Sequence, residues 1–226
     1  IGCDEVPAMQ VLAGQLEKRT GTKSTTVAQS EMPTNLSSFD TVIVYIHKTI
    51  EPTSEDAFIH YARNGGKLLL LHHSISSGKR GNVHWLPFLG VELPKKDFAL
   101  GGYKYFDPAD FSVVNLAPHD PVTTHDVHYE TSAAFTEGDG TSRQLPTFDV
   151  NGSEVYLNHV LSGPRTILLG IRYQDKESGR LYMQKTAGWR KKTDKGIVYY
   201  FMVGHRAEDF DNPAYAQILA NAVMQK

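Results

Sequence analysis

Two short, continuous apolar runs constrain the fold of this chain more than any other feature. Residues 41–46 read TVIVYI and residues 67–71 read KLLLL. Runs of this length are typical of strands that are buried on both faces of a sheet. Residues 54–63 between them have a helical pattern, with Thr53 as the N-cap and a glycine pair after the last turn. A strand, a helix and a second strand in this order predict a parallel βαβ unit.

The other regular patterns lie towards the two ends of the chain. Apolar stripes over residues 6–20 and 213–224 predict helices, and apolar runs at 165–172, 182–189 and 196–203 predict strands, the last two as a hairpin. Residues 77–162 are rich in His, Asp, Pro and Gly, which indicates long loops and short strands, some of them covering a pocket. A doubly wound sheet normally opens with a strand, but no strand pattern precedes residue 6. Either that strand is absent from the numbered residues or the N-terminal assignment is wrong.

Length, charge and cysteine content exclude several classes of protein. The 226 residues and the missing linkers and repeats predict a single α/β domain over residues 1–226. A net charge of −2 gives no basic field for nucleic acid, and no apolar run reaches the ~20 residues that span a bilayer. The single cysteine, Cys3, excludes an intrachain disulfide and a structural zinc-thiolate site. Because the sequence begins at Ile1, it is compatible with removal of a signal peptide, so both the cytoplasm and the periplasm stay open. Homo-oligomer formation is open too.

Histidines follow the predicted strands at the edge where open parallel sheets bind ligands. A single histidine at a strand end is more often structural. With histidines at three strand ends, a functional role becomes about as probable as a structural one. The residues at these ends are His47 after TVIVYI, His72, His73 and Ser74 after KLLLL, and Gly204 and His205 after the run at 196–203.

The position of His72 matches the turn where related α/β enzymes carry a nucleophile, but the Gly-x-Cys/Ser-x-Gly pattern is missing. Ser74 is the nearest hydroxyl, so nucleophilic acyl transfer has no convincing nucleophile. His72 and His205 could act as general acid and base, since the pKa of imidazole is near 6.5. Together with a carboxylate they could instead hold a divalent metal, although no local His-x-x-x-His spacing favours this.

Other polar and aromatic residues allow a functional and a structural interpretation. Glu154 and Tyr156 alternate with Val155, so both face one side of a strand, either towards the pocket or at a solvated edge. Glu208 could orient His205 or cap the helix that follows. Trp85 could stack on a sugar ring, although aromatic side chains more often pack in a core.

Four segments, in order, resemble the ThuA-like (trehalose-utilisation) family over about residue 6 to the C-terminus. Two departures stand out: Ser153 replaces the first acid of the family's Asp-Glu-x-Tyr, and Asp194-Lys195-Gly196 replaces its Gly-Lys-Gly-Arg turn. The segments are NGGKLLLLHH at 64–73, HDPVT at 119–123, FDVNGSEVY at 148–156, and GW at 188–189 followed by GIVYYFMVGHRAEDF at 196–210.

The resemblance implies a three-layer, flavodoxin-like, doubly wound and mostly parallel sheet, with helices on both faces and long decorating loops. It also implies kinship with class I glutamine amidotransferases, with His72 near their nucleophilic cysteine and His205 near their catalytic histidine. Their His-x-Glu becomes His-x-x-Glu here, at His205 and Glu208, so glutamine hydrolysis is not expected. The family is linked to the use of trehalose and related sugars or their keto derivatives.

The leading hypothesis is an enzyme that acts on a sugar or keto-sugar by general acid/base chemistry. Its catalytic residues would be His72, His205 and Glu154, with no metal or other cofactor. The residues expected to bind substrate are Tyr156, His73, His47, Ser74, Glu208 and Trp85, with His47 and His73 at the rim. The alternatives are a sugar- or partner-binding protein without catalysis, and a hydrolase or isomerase that depends on a divalent metal.

Overall fold

The fold is built on one large sheet, seen in a computed structural model that describes residues 2–3 and 6–225. Ten strands form this sheet, and β5 pairs with β9 in a small second one. The strands are β1 (Gly2–Cys3), β2 (Val27–Ala28), β3 (Thr41–Tyr45), β4 (Lys67–Leu71), β5 (Val91–Glu92), β6 (Lys104–Asn115), β7 (Thr131–Thr136), β8 (Ser142–Leu157), β9 (Val160–Leu161), β10 (Thr166–Gln174), β11 (Leu181–Lys192) and β12 (Ile197–Phe201).

Helices flank this sheet. α1 packs against α5, and α2 packs against α3. Among the described residues, none of the helices combines the length and apolar character needed to cross a membrane. The helices are α1 (Val6–Thr20), α2 (Pro52–Arg63), α3 (Trp85–Leu89), α4 (Pro121–Thr124) and α5 (Pro213–Met224).

The parallel part of the sheet has the order β2-β1-β3-β4-β12. β3 and β4 are the two apolar runs, and four of the five residues in each are buried. They lie side by side because a strand that is apolar on both faces needs cover from helices on both sides. This arrangement confirms the α/β class and the βαβ unit predicted from the sequence.

Antiparallel strands continue the sheet beyond β12, in the order β11-β10-β6-β8-β7. β11 and β12 form the predicted hairpin. Residues 77–162, expected to hold loops and short strands, contain β6 and β8 with 12 and 16 residues. β6 is largely exposed in its first half, β8 is exposed in its first three residues, and both are mostly buried in their last half. Register shifts interrupt their pairing. Neither strand therefore shows one continuous alternation of apolar and polar residues, and for this reason the sequence pattern did not predict them.

Two expectations at the ends of elements were wrong. A strand does precede α1: β1 has only two residues, too few to show a periodicity, and it pairs in parallel with β2 and β3. The residue at the N-cap position of α2 is Glu51 rather than Thr53, since the helix begins at Pro52. Asn212 caps α5, accepting a hydrogen bond from the backbone N–H of Tyr215.

Candidate functional site

His72 is the residue at which strand β4 ends and the chain turns. Its backbone has a φ of +41°, in the left-handed region that non-glycine residues rarely adopt. The hydroxyl of Tyr200 donates a hydrogen bond to its carbonyl oxygen at 3.3 Å, and the side chain is fully buried. Strained backbone is frequent at functional sites, so the conformation of His72 supports a functional interpretation of this position.

The two ring nitrogens of His72 have different partners. Nδ1 lies 2.5 Å from the carbonyl oxygen of Met202. Because a carbonyl only accepts, Nδ1 carries a hydrogen and donates it. Nε2 lies 2.9 Å from Oε2 of Glu154 and 3.1 Å from the hydroxyl of Tyr156. The Met202 contact fixes the orientation of the ring and leaves Nε2 as the atom that faces the acid.

One carboxylate oxygen of Glu154 lies at the centre of the cluster. Besides His72, its Oε2 is 3.8 Å from Nε2 of His73 and 3.7 Å from Nδ1 of His205. Burial alone would raise the pKa of Glu154, but the hydrogen bonds from His72 and Tyr156 and the charges of His72 and His205 outweigh it and lower that pKa. The carboxylate is therefore ionised and buried among imidazoles. We call His72, His73, Glu154 and His205 the histidine–glutamate cluster.

His205 is the member of the cluster that solvent reaches. Its side chain is 25% exposed, and its Nε2 lies 3.7 Å from Oδ2 of Asp107. It follows Gly204, whose φ is +123° and where a Cβ would approach the ring of Phe210 to 2.7 Å. Only glycine allows this turn, which brings His205 back over the sheet edge.

His73 and His47 lie in successive layers. The sequence placed both at the rim, but His73 is buried and lies against Glu154, so the prediction for this residue was wrong. Burial, followed by the neighbouring charges of His72, His47, His205 and Lys79, lowers the pKa of His73 far below its usual value and keeps the ring neutral. His47 is exposed and stacks on His73, with 4.1 Å between the ring centroids. His47 is therefore the rim residue.

An aromatic layer lies behind Tyr156. Its ring stacks on that of His72 at 4.8 Å, and Tyr103 stacks on His159 at 5.3 Å. Burial and the charge of His72 lower the pKa of His159 to about 3, and neither ring nitrogen has a hydrogen-bond partner among the described residues. This ring is neutral at physiological pH.

Three residues expected to bind substrate do not reach the cluster. Ser74 is buried and its hydroxyl donates to the carbonyl of Val44 at 2.7 Å. Trp85 is also buried, and its indole N–H donates to the carbonyl of Ser74, so it belongs to the core. Glu208 is exposed in the 3₁₀ turn after His205, whereas the acids that approach His205 are Glu154 and Asp107.

Asp107 and His159 were not found from the sequence. Both lie in the segment that was interpreted as loops. Asp107 belongs to β6 and His159 lies just after β8, beyond Tyr156. Recognition of β6 as a strand neighbouring β8 would have placed Asp107 near Glu154, but the register shifts in this pair hid that relationship.

A large cleft lies at the opposite edge of the sheet. It has a volume of about 1120 Å³ and is lined by the first residues of the parallel strands, among them Thr41, Lys67 and Ile197. The histidine–glutamate cluster lies beyond the last residues of the same strands. The histidine–glutamate cluster thus lies outside this cleft, at the carboxyl edge where α/β sheets bind ligands.

Comparison with known proteins agrees with the fold. Residues 3–224 match the ThuA family, described as trehalose utilisation. The chain belongs to this family. No curated protein sequence matches it.

Several solved structures are similar to this chain in fold. A ThuA-like protein from Bacteroides uniformis superposes with a TM-score of 0.64 at 19% identity, covering 98% of this chain and 87% of that one. A cytoplasmic protein from Salmonella typhimurium gives a TM-score of 0.61 at 14% identity, covering 95% and 85%. A β-galactosidase from Rahnella gives 0.52 at 14% identity, and the match covers 93% of this chain but only 26% of that one.

Proposed function

We propose that this ThuA-family protein is an enzyme that acts on a sugar or keto-sugar by moving a proton at the histidine–glutamate cluster. The observation that carries the proposal is the buried, ionised carboxylate of Glu154, whose Oε2 lies within 2.9–3.8 Å of three imidazoles. Acid and base groups held this close together in a partly buried site are typical of proton-transfer enzymes. The family's link to trehalose utilisation supports a sugar as the substrate class.

His205 is the imidazole best placed to exchange a proton with substrate, because it is the exposed member of the cluster. In a keto-sugar the acidic proton is on the carbon next to the carbonyl, and in an unmodified sugar it is on a hydroxyl. Glu154 would stabilise the imidazolium that forms when His205 takes this proton. His72, held by Met202, would keep Glu154 in place.

His72 and Ser74, which follow strand β4, disfavour glutamine hydrolysis. A histidine occupies the strand end where that reaction needs a nucleophile. The hydroxyl of Ser74 is buried and donates to a backbone carbonyl, so it cannot attack a substrate. The proposed activity is therefore not that of a glutamine amidotransferase.

A screen of ligands followed by a turnover assay tests the proposal. Purified protein is mixed with trehalose, related disaccharides and their keto derivatives, and thermal stabilisation is measured for the wild type, His205→Ala and the control His125→Ala. His125 is exposed and its ring lies near Asp126. We expect a keto-sugar to stabilise wild type and control alike and to be converted by both, while His205→Ala binds it but turns it over at least about 100-fold more slowly. Stabilisation without conversion at any enzyme concentration would indicate a binding protein instead.

A further inference from the structure

We propose that the histidine–glutamate cluster binds one divalent transition-metal ion. The four residues His72, His73, Glu154 and His205 each offer a ligand atom, and these atoms all lie within 4.8 Å of one another. Three imidazole nitrogens and one carboxylate oxygen form a donor set that suits first-row ions such as Zn²⁺, Fe²⁺ and Co²⁺. Apart from the adjacent His72 and His73, the residues are far apart in sequence, which is why no local spacing indicated the site.

The separations between donor atoms fit a shared ion. Two ligands about 2.1 Å from one metal lie about 3.0–3.4 Å apart at octahedral or tetrahedral angles. Oε2 of Glu154 is 2.9, 3.8 and 3.7 Å from the nearest nitrogens of His72, His73 and His205. The last two distances are too long for hydrogen bonds, and small side-chain shifts bring them to the distance between two ligands of one ion.

The state of the ring nitrogens also favours a cation. Nδ1 of His72 donates to the carbonyl of Met202, the arrangement by which metal-binding histidines orient their other nitrogen. Nε2 lies 2.9 Å from Oε2 of the ionised Glu154, and these two atoms, both able to bind a metal, need a proton or a cation between them at this distance. Nδ1 of His205 is buried with no hydrogen-bond partner among the described residues, although it faces this same oxygen.

The metal site can be tested independently of the proposed function, whereas the catalytic role of the ion rests on that function. A bound cation would polarise a sugar oxygen that enters past His205 and would stabilise negative charge developing on it. His205 would then act as a ligand, and the positive charge otherwise supplied by its imidazolium would come from the ion. Sugar conversion at this cluster is expected in either case.

Metal titration of the full chain, with any histidine tag removed, tests the site. Protein stripped with chelator is titrated with Zn²⁺ and with Co²⁺ by calorimetry, and the bound metal is measured by elemental analysis. We expect about one ion per chain in the wild type. His205→Ala and Glu154→Gln should each bind at least about 10-fold more weakly. His125→Ala should bind as the wild type does, because its ring lies outside the cluster.

The outcomes separate the metal site from the sugar reaction. Circular dichroism first establishes that each variant is folded; His205 is partly exposed, so its variant should fold even if Glu154→Gln does not. Failure of the wild type to bind either ion, or equal affinity in His205→Ala, would overturn the metal site. Metal bound at this stoichiometry without conversion of any sugar would overturn the proposed function alone. Sugar conversion by a protein that binds no metal would overturn the metal site alone.

Discussion

Nε2 of His72 lies 2.9 Å from Oε2 of Glu154, while Nδ1 of the same ring is held by the carbonyl of Met202. The pair joins two parts of the sheet: His72 follows the parallel strand β4, and Glu154 belongs to the antiparallel strand β8. Neither ring nitrogen can exchange partners unless the ring leaves its place. The pair therefore fixes the relative position of the two strands at the point where the chemistry is proposed.

The substitution Glu154→Gln removes the negative charge from the centre of the cluster while keeping its shape. We expect sugar conversion to fall about 100-fold or more, since no carboxylate would remain to stabilise an imidazolium or to hold a cation. The free energy of unfolding should change by less than about 2 kcal/mol, because the glutamine amide can still form a hydrogen bond with Nε2 of His72. Steady-state kinetics and urea unfolding check both values. Retained activity in a folded variant would show that Glu154 has no catalytic part.

The hydroxyl of Tyr156 contributes to the low pKa of Glu154, and Tyr156→Phe removes only this group. The ring stacked on His72 is retained, so we expect a loss of only about 1 kcal/mol of stability. Loss of the hydrogen bond raises the pKa of Glu154. The acid limb of the rate profile should therefore move to higher pH. A pH profile that coincides with that of the wild type would contradict this role of the hydroxyl.

His159 makes the fold sensitive to acid. Its pKa is lowered to about 3 by burial and the charge of His72, so the unfolded chain binds a proton more readily. The stability that depends on this residue is complete above about pH 6.5 and is lost as pH falls towards 3, at up to about 1.4 kcal/mol per pH unit.

The substitution His159→Phe keeps a ring against Tyr103 and removes this titration. We expect the free energy of unfolding, measured in urea between about pH 7 and pH 5, to fall less steeply than in the wild type. Some acid sensitivity should remain, because the pKa of His73 is lowered too. Parallel curves for the two proteins would contradict the assignment of the buried neutral ring.

Trp85 is expected to stabilise the core and to have no contact with sugar. Its ring packs near Phe58 and Phe88, and its N–H donates to the carbonyl of Ser74 at 2.7 Å. Trp85→Phe should lower the free energy of unfolding by about 1–3 kcal/mol and leave the KM for the sugar within about twofold. A large rise in KM without loss of stability would restore the substrate-stacking role that the sequence first suggested.

The extent to which sequence predicts this fold depends on how evenly its strands are buried. β3 and β4 are apolar along nearly their whole length, so their runs were recognised with correct limits to within a residue. β6 and β8 pass from solvent into the core and contain register shifts, so no single period describes them. β1 has only two residues, too few for any pattern.

The candidate site was predictable where side chains follow a recognisable strand. His72 and His205 were found in this way, and Glu154 and Tyr156 were found from their alternation around Val155. The interior position of His73 depends on the left-handed turn at His72, which redirects the chain, and no sequence pattern signals that turn in a residue other than glycine. Ser74 follows this turn and Trp85 begins α3, and no sequence pattern indicated that both side chains are buried.

Loss of a carbon-bound proton to solvent is the most direct test of proton transfer at the histidine–glutamate cluster. A keto-disaccharide is incubated in D₂O with enzyme, and the ¹H NMR signal of the hydrogen next to the carbonyl is followed over time. We predict that the wild type and His125→Ala make this signal disappear much faster than buffer alone, and that Glu154→Gln and His205→Ala do so at least about 100-fold more slowly than the wild type. Signal loss at the buffer rate with wild-type protein, for every keto-sugar that binds, would contradict proton transfer at this site.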